Sequence, residues 1–369
     1  MPNIPEIVKQ QALTQPSHNA IEFREHVLTY AQLYERATAL AGFLQQQPLE
    51  KGEIVGILMD NHHDFPVVYL AIQYAGLVAM PINTKLAATE IAYILQHSEA
   101  RAVFVDDTLH DKLNDTNLSL TATWTQSNLA TMYTQRAVYT PQSLADDETA
   151  VVMYTSGTTG KPKGVMLSFN AVYEATAQWV ESVELTSADR MFICTPLFHC
   201  AGLHVFLTPT LMAGGTFIIE QAFSPTQMAT WLRDSEATIF FGVPAMYMLL
   251  LNNDDFCTFD LSHLRLFAYG AAPMPYELVM KLKTLFPQVA LQNFYGQTEN
   301  APCSTTLKGQ DVLEKIGSVG KPPTSKTEVK IASPDGKPLP KPLSAEDATS
   351  SQDILSLLQQ KHSNIFHGV

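Results

Sequence analysis

Tyr154-Thr155-Ser156-Gly157-Thr158-Thr159-Gly160-Lys161-Pro162-Lys163-Gly164-Val165 follows directly on the apolar run Ala150-Val151-Val152-Met153. The run reads as a strand, which places the glycines, hydroxyls and lysines in the loop at its end. Glycines let a backbone turn until its N–H groups face one point, and a phosphate is the ligand such a nest suits. Thr155, Ser156, Thr158 and Thr159 add hydroxyl donors, and Lys161 and Lys163 add charge. Pro162 after Gly160-Lys161 excludes a Walker A loop, which needs Ser or Thr there. A strand that ends in a phosphate nest predicts an α/β fold.

Working outward, strand-length apolar runs alternate with stretches of helical period, the pattern of a parallel sheet. Thr29 caps a helix whose Leu33, Ala37, Leu40 and Leu44 share one face. A strand is expected over 54–59, helices from about Asp64 and Thr89 (buried stripe Ile91, Ile94, Leu95), and a strand over 102–105. Residues 106–148 are polar and weakly periodic and read as peripheral. Further on, Ser224-Pro225 reads as a helix start, with strands over 238–241, 264–268 and 290–294. Helices are expected over 244–251 and 275–286. The apolar stretch 201–219 is interrupted by His204, Pro209, Gly214 and Gly215, which fits a buried helix and strand better than a membrane span.

The 369 residues are enough for a large core and more than one subdomain. A formal net charge of −13 argues against nucleic acid as a partner, since that would require a basic face. Cys194, Cys200, Cys257 and Cys303 contain no C-x-x-C pair and read as reduced thiols of a cytoplasmic protein. The N-terminus has no basic region followed by an apolar stretch, so no signal peptide is visible.

Four more segments extend the argument from the loop. They are Pro196-Leu197-Phe198-His199-Cys200-Ala201-Gly202-Leu203, Tyr269-Gly270-Ala271-Ala272-Pro273-Met274-Pro275, Asn293-Phe294-Tyr295-Gly296-Gln297-Thr298-Glu299 and Ile316-Gly317-Ser318-Val319-Gly320-Lys321-Pro322. With the loop, and in this order, they resemble the signatures of the adenylate-forming (AMP-binding) enzymes, in particular the acyl-CoA synthetases. The resemblance covers about residues 1–335. It implies two stacked, mostly parallel-sheet subdomains and a partial β-barrel-like third part. It also implies ATP-dependent activation of a carboxylic acid to an acyl-adenylate, with coenzyme A or a carrier phosphopantetheine as the thiol.

Under that resemblance the 155–161 loop (Thr155, Ser156, Gly157, Thr158, Thr159, Gly160, Lys161) holds the phosphates of ATP or AMP. Thr298 donates to the α-phosphate and Glu299 ligates Mg2+. Tyr295 lays its ring against adenine beside Gly270, Ala271, Ala272 and Gly296, and Asn293 reads the exocyclic amine. His199 borders the acid pocket and thiol tunnel in a positioning role, because a carboxylate nucleophile is already ionised at neutral pH. Amino-acid-activating relatives place an aspartate near this point. Phe198-His199-Cys200-Ala201 has no acid, which favours a fatty or aryl acid without an ammonium group. Val243, Met246, Tyr247, Leu250 and Tyr269 are plausible lining residues. His18, His62 and His63 read as histidines of solvated loops.

From about Ser333 the chain becomes turn-rich and proline-rich, and 353–360 reads as a short helix or a strand. The family's ribose-binding aspartate, hinge and lysine-bearing lid domain have no match here. The expectation is therefore a large domain over 1–335, a remnant of the third part over 336–369, and impaired adenylation unless a lid acts in trans. Two alternatives stay open: a non-catalytic nucleotide- or acyl-binding remnant, and a ligase that loads a carrier protein.

Overall fold

The computed structural model describes residues 2–329, except 115–117, 136, 157–160 and 303. Gly157, Thr158, Thr159, Gly160 and Cys303 therefore lie outside the described residues. So do the expected barrel-like third part and the 353–360 element.

Six strands form one sheet: β3 (Ile54–Leu58), β4 (Val78–Pro81), β5 (Ala102–Val105), β6 (Ala122–Thr125), β7 (Thr149–Thr155) and β8 (Lys163–Ser168). Their order is β6-β5-β3-β4-β7-β8, parallel except for the β7–β8 hairpin that carries the glycine-rich loop. Eight strands form the other: β1 (Asn19–Phe23), β2 (His26–Thr29), β9 (Arg190–Ile193), β10 (Thr216–Ile219), β11 (Ile239–Gly242), β12 (Leu266–Gly270), β13 (Ala290–Tyr295) and β14 (Thr305–Lys308). Their order is β14-β13-β12-β11-β9-β10-β1-β2, antiparallel only at the two edge pairs. This is the expected α/β architecture with two mostly parallel sheets. Central strands such as β5 and β10 are buried along their whole length, which is why they read as continuous apolar runs.

Local chemistry accounts for the helices. Thr29 Oγ1 accepts the Gln32 N–H and Gln32 Oε1 accepts the Thr29 N–H, a reciprocal cap that starts the helix Tyr30–Leu44. Ser168 caps the helix Phe169–Val183, whose fully buried Trp179 packs on Phe294 of β13 with ring centroids 4.9 Å apart. One continuous apolar core contains side chains of both sheets, among them Ile57 and Phe104 with Phe217 and Ile239, and Leu33 and Trp179 of those helices. Between the eight-stranded sheet's neighbours, Asp189 accepts a bidentate pair of hydrogen bonds from Arg265 at 2.7 and 3.0 Å. Burial raises the Asp189 pKa, but the Arg265 bonds more than offset this and hold it below the usual carboxylate range.

Several expectations need correction. The helix expected at Ser224-Pro225 begins at Met228; residues 225–227 form a turn in which the Ser224 carbonyl accepts the Gln227 and Met228 N–H groups. The 106–148 segment supplies β6, an edge strand paired to β5, so part of it belongs to the sheet. His63 is buried, the His18 Nε2 is buried without a partner, and His62 packs against His63; these are not solvated-loop histidines. No helix among the described residues is long and apolar enough to cross a membrane.

Candidate functional site

Strands β11, β12 and β13 are adjacent and parallel, and their carboxyl ends open into one cavity of about 330 Å³. Ligands of open α/β sheets bind in that position, and the volume is at the lower end for small-molecule sites. The floor comes from Tyr269-Gly270-Ala271-Ala272 and Asn293-Phe294-Tyr295-Gly296. One wall is Cys200, Ala201, Val205 and Phe206, at the start of a π-helical stretch spanning Ala201–Leu207. The opposite wall is Ile316–Val319. The three sequence segments quoted above for 196–203, 269–275 and 316–322 thus converge with the 293–299 segment around one space.

The small residues have structural reasons of their own. A Cβ on Gly270 would stand 2.5 Å from the Phe294 carbonyl oxygen, and one on Gly296 would collide with the Pro302 carbonyl. Glycine at these points allows close packing of β13 and its loop, which is a different reason from the approach of a flat base. Ala271 has φ +65°, a left-handed backbone costing an alanine about 1 kcal/mol. Residues 271–273, which follow from that turn, line the cavity.

Polar groups are few and partly unanswered. The Tyr295 hydroxyl and the Gln297 Nε2 are buried without hydrogen-bond partners. Orphaned polar atoms of this kind call for a ligand, since leaving one unpaired costs roughly 1–3 kcal/mol. Asn293 Nδ2 donates to the Ser318 carbonyl at 3.4 Å, tying floor to wall. Thr298 Oγ1 donates to Cys200 Sγ at 3.3 Å, a weak acceptor that a phosphate oxygen would readily replace. Burial pushes the Cys200 thiol up, so it remains uncharged. Glu299 is half-buried on the short turn Thr298–Asn300, which packs against β8 of the phosphate-loop hairpin.

Around the loop itself, Thr155 pairs with Lys163 at the loop end of the hairpin, and Ser156 is exposed. Lys161 is exposed, with its Nζ 5.6 Å from the centre of the Tyr93 ring. An exposed ammonium over a half-buried ring is held by only about 1 kcal/mol, so it can exchange that ring for phosphate.

Not every expected residue reaches the cavity. His199 does not line it; its exposed ring tilts on Phe198 at 4.8 Å. Partial burial, and then the Lys85 charge, lower its pKa, so it is neutral at pH 7. Of the five residues expected to line an acid pocket, only Tyr269 does. Leu250 is core, and Tyr247 is a buried tie whose hydroxyl donates to the carbonyls of Phe240 and Ala268, linking β11 to β12. Asn61 was not singled out by sequence. Its Nδ2 donates to the carbonyls of Thr195 and Glu220 and its Oδ1 accepts the Leu197 N–H, which fixes the start of the 196–203 segment. Its one sequence signal is its place just past the carboxyl end of β3.

A discriminating outcome follows for Tyr295→Phe. Because its hydroxyl has no partner, melting temperature should stay level or rise slightly. ATP affinity, measured by calorimetry, should fall about 2- to 10-fold, the worth of one ordinary hydrogen bond. Unchanged affinity would remove the hydroxyl from nucleotide binding.

A family model described as AMP-binding enzyme matches residues 8–346. The chain is 32% identical over 349 residues to a feruloyl-CoA synthase from an Amycolatopsis species, covering 94% of this chain and 69% of that protein. It is 30% identical over 346 residues to the long-chain-fatty-acid–CoA ligase FadD13 of Mycobacterium tuberculosis, covering 91% and 68% respectively. Among solved structures, the inhibitor-bound N-terminal domain of FACL13 from Mycobacterium tuberculosis superimposes with a TM-score of 0.87 at 29% identity, over 92% of this chain and 86% of that one. The Bacillus subtilis o-succinylbenzoate–CoA synthetase in complex with AMP gives 0.81 at 27% identity, over 91% and 84%.

Proposed function

The chain belongs to the AMP-binding enzyme family as an acid–CoA ligase of the AMP-forming kind, and from that premise we propose which acid it takes and which residues act. The substrate is an uncharged-tail carboxylic acid, aryl or fatty, activated with ATP to an acyl-adenylate and passed to the thiol of coenzyme A. One observation supports this above others: among the described residues none lining the cavity carries a charge, and Val205, Phe206, Phe241 and Met274 give it an apolar wall.

Adenylate formation brings a carboxylate to the α-phosphorus while pyrophosphate leaves, so the site must hold negative charge. In this reading Thr155, Ser156 and Lys161, with Gly157, Thr158, Thr159 and Gly160, hold the leaving phosphates. Thr298 exchanges Cys200 Sγ for an α-phosphate oxygen. Tyr295 covers the base, with Gly270, Ala271, Ala272, Asn293 and Gly296 beneath it. Glu299 is one half-buried carboxylate next to Thr298 on the 298–300 turn, which suits a Mg2+ ion that prefers few carboxylates plus phosphate oxygens; the ion would neutralise charge on those oxygens. His199, neutral and outside the cavity, acts at the entrance and transfers no proton.

Thermal-shift measurements with ATP and Mg2+ test the substrate class using a matched pair, 3-phenylpropanoic acid and phenylalanine. They differ by an ammonium group that would find no counter-ion here, and burying it unpaired costs several kcal/mol. The acid without the amine should stabilise the protein and phenylalanine should not, at concentrations up to about 100-fold higher. Selective stabilisation by phenylalanine or any other amino acid would overturn the assignment.

A further inference from the structure

Where β3 ends, the chain runs Asp60-Asn61-His62-His63-Asp64 into the helix Asp64–Tyr74. Asp64 Oδ2 lies 3.1 Å from His62 Nδ1, and Asp64 Oδ1 lies 3.6 Å from His63 Nε2. Ligand-capable atoms of the three side chains all fall within 4.8 Å of one another. His26, at the start of β2, stacks on the His63 ring at 4.5 Å, and the His62 and His63 rings are 4.0 Å apart. His63 is only 8% exposed, and its Nδ1 is buried without a partner.

Helix capping explains part of this cluster: the Asp64 N–H donates to His62 Nδ1 at 3.3 Å, and the Asp64 carboxylate suits the positive end of the helix dipole. It does not explain His63, which as N-cap makes no side-chain capping bond. Two crowded imidazoles beside a buried carboxylate are an expensive way to start a helix. As metal ligands they are a matched set. Neutral imidazole and carboxylate bind zinc-class ions at about 2.0–2.2 Å, and a tetrahedral site then spaces its ligand atoms about 3.3 Å apart. The two observed separations bracket that value.

We propose that His62, His63 and Asp64 bind a divalent transition metal of the zinc class, with the fourth position left to water and His26 stacked on the His63 ring as packing. Imidazole-rich ligand sets favour Zn2+, Ni2+ or Cu2+ over Mg2+ or Ca2+. Tyr133 donates to Asp64 Oδ1 at 2.7 Å, the outer hydrogen bond that orients a ligating carboxylate. An adjoining cavity of about 280 Å³ gives an entry path; it is lined by His26 and His62 with the acids Glu25, Asp60 and Asp106, set against Arg24. Arg36, held 5.4 Å from the Tyr133 ring centre, is the other nearby cation. The site shares no residue with the nucleotide cavity. All three ligands lie on the segment after β3, against which His26 of the eight-stranded sheet packs, so the ion would order this segment where it meets that sheet.

The test uses the untagged chain, stripped with a chelator and titrated with Zn2+ by calorimetry, with Co2+ absorption as a second readout. One equivalent should bind, raise the melting temperature and give the visible bands of tetrahedral Co2+. His62→Gln and His63→Gln should each weaken binding at least about 100-fold. Tyr133→Phe should weaken it about 10–100-fold, the usual effect of an outer partner. His110→Gln, an exposed histidine elsewhere, should change nothing. If His63→Gln does not fold, His62→Gln decides, since the His62 side chain is 25% exposed. No uptake, or equal uptake by the parent and the His62→Gln variant, would overturn the proposal.

Discussion

Glu299→Gln should lower ATP–pyrophosphate exchange with a saturating acid by about 10²–10³-fold, the usual loss when one preorganised electrostatic group is removed from a charge-developing site. The substitution is isosteric and Glu299 is half-buried on a three-residue turn, so melting temperature should hardly move. The two forms of nucleotide binding separate the causes. If the carboxylate acts through Mg2+, magnesium-dependent ATP binding weakens strongly while binding in the presence of a chelator changes little. Equal losses with and without the ion would assign Glu299 to the nucleotide directly or to the fold. The neighbouring Thr298–Cys200 contact provides an internal check, since a disturbed turn would lengthen it and expose the Cys200 thiol to alkylation.

The second large effect concerns stability. Asn61→Ala should destabilise the protein by about 3–5 kcal/mol, lowering the melting temperature by on the order of 10 °C. The side chain is 4% exposed and answers two carbonyls and one N–H from three different places, Thr195, Glu220 and Leu197. Its loss orphans all three groups at a nearly buried position. Asn61→Asp keeps the Leu197 bond but sets a carboxylate against two carbonyls, so it should rescue nothing. Because Thr195 and Leu197 flank Pro196, acid binding should fall as well, even at temperatures where the variant is folded. A variant that melts with the parent would show that water replaces the amide and that the loop is held by packing.

The strands and helices around the nucleotide motifs were legible because their signals are local. Continuous apolar runs marked β5 and β10, and the Thr29 cap with Leu33, Ala37, Leu40 and Leu44 marked a helix, all as found. The Ser224-Pro225 start was misplaced because a proline at the head of a turn looks the same in sequence as one at the head of a helix. Edge strand β6 was not visible because four residues, half of them polar, become a strand only when β5 offers a ladder.

The same division runs through the site. Sequence by itself determined the α/β class and the AMP-binding family, and it put forward Tyr295, Thr298, Glu299 and the 155–161 loop as the proposed nucleotide contacts. Signatures of that kind are residue types at fixed short spacings, and short spacings survive in one dimension. Only the tertiary structure decided which apolar residues face a cavity and which face core, since both demand the same side chains: Tyr269 and Phe206 went one way, Tyr247 and Leu250 the other. It alone joined Asn61 to a segment 134 residues away, and brought His26 from β2 against His62, His63 and Asp64 beyond β3. Contacts like these are set by which strand lies beside which and by the turns between them, and no local propensity encodes a distance across two sheets.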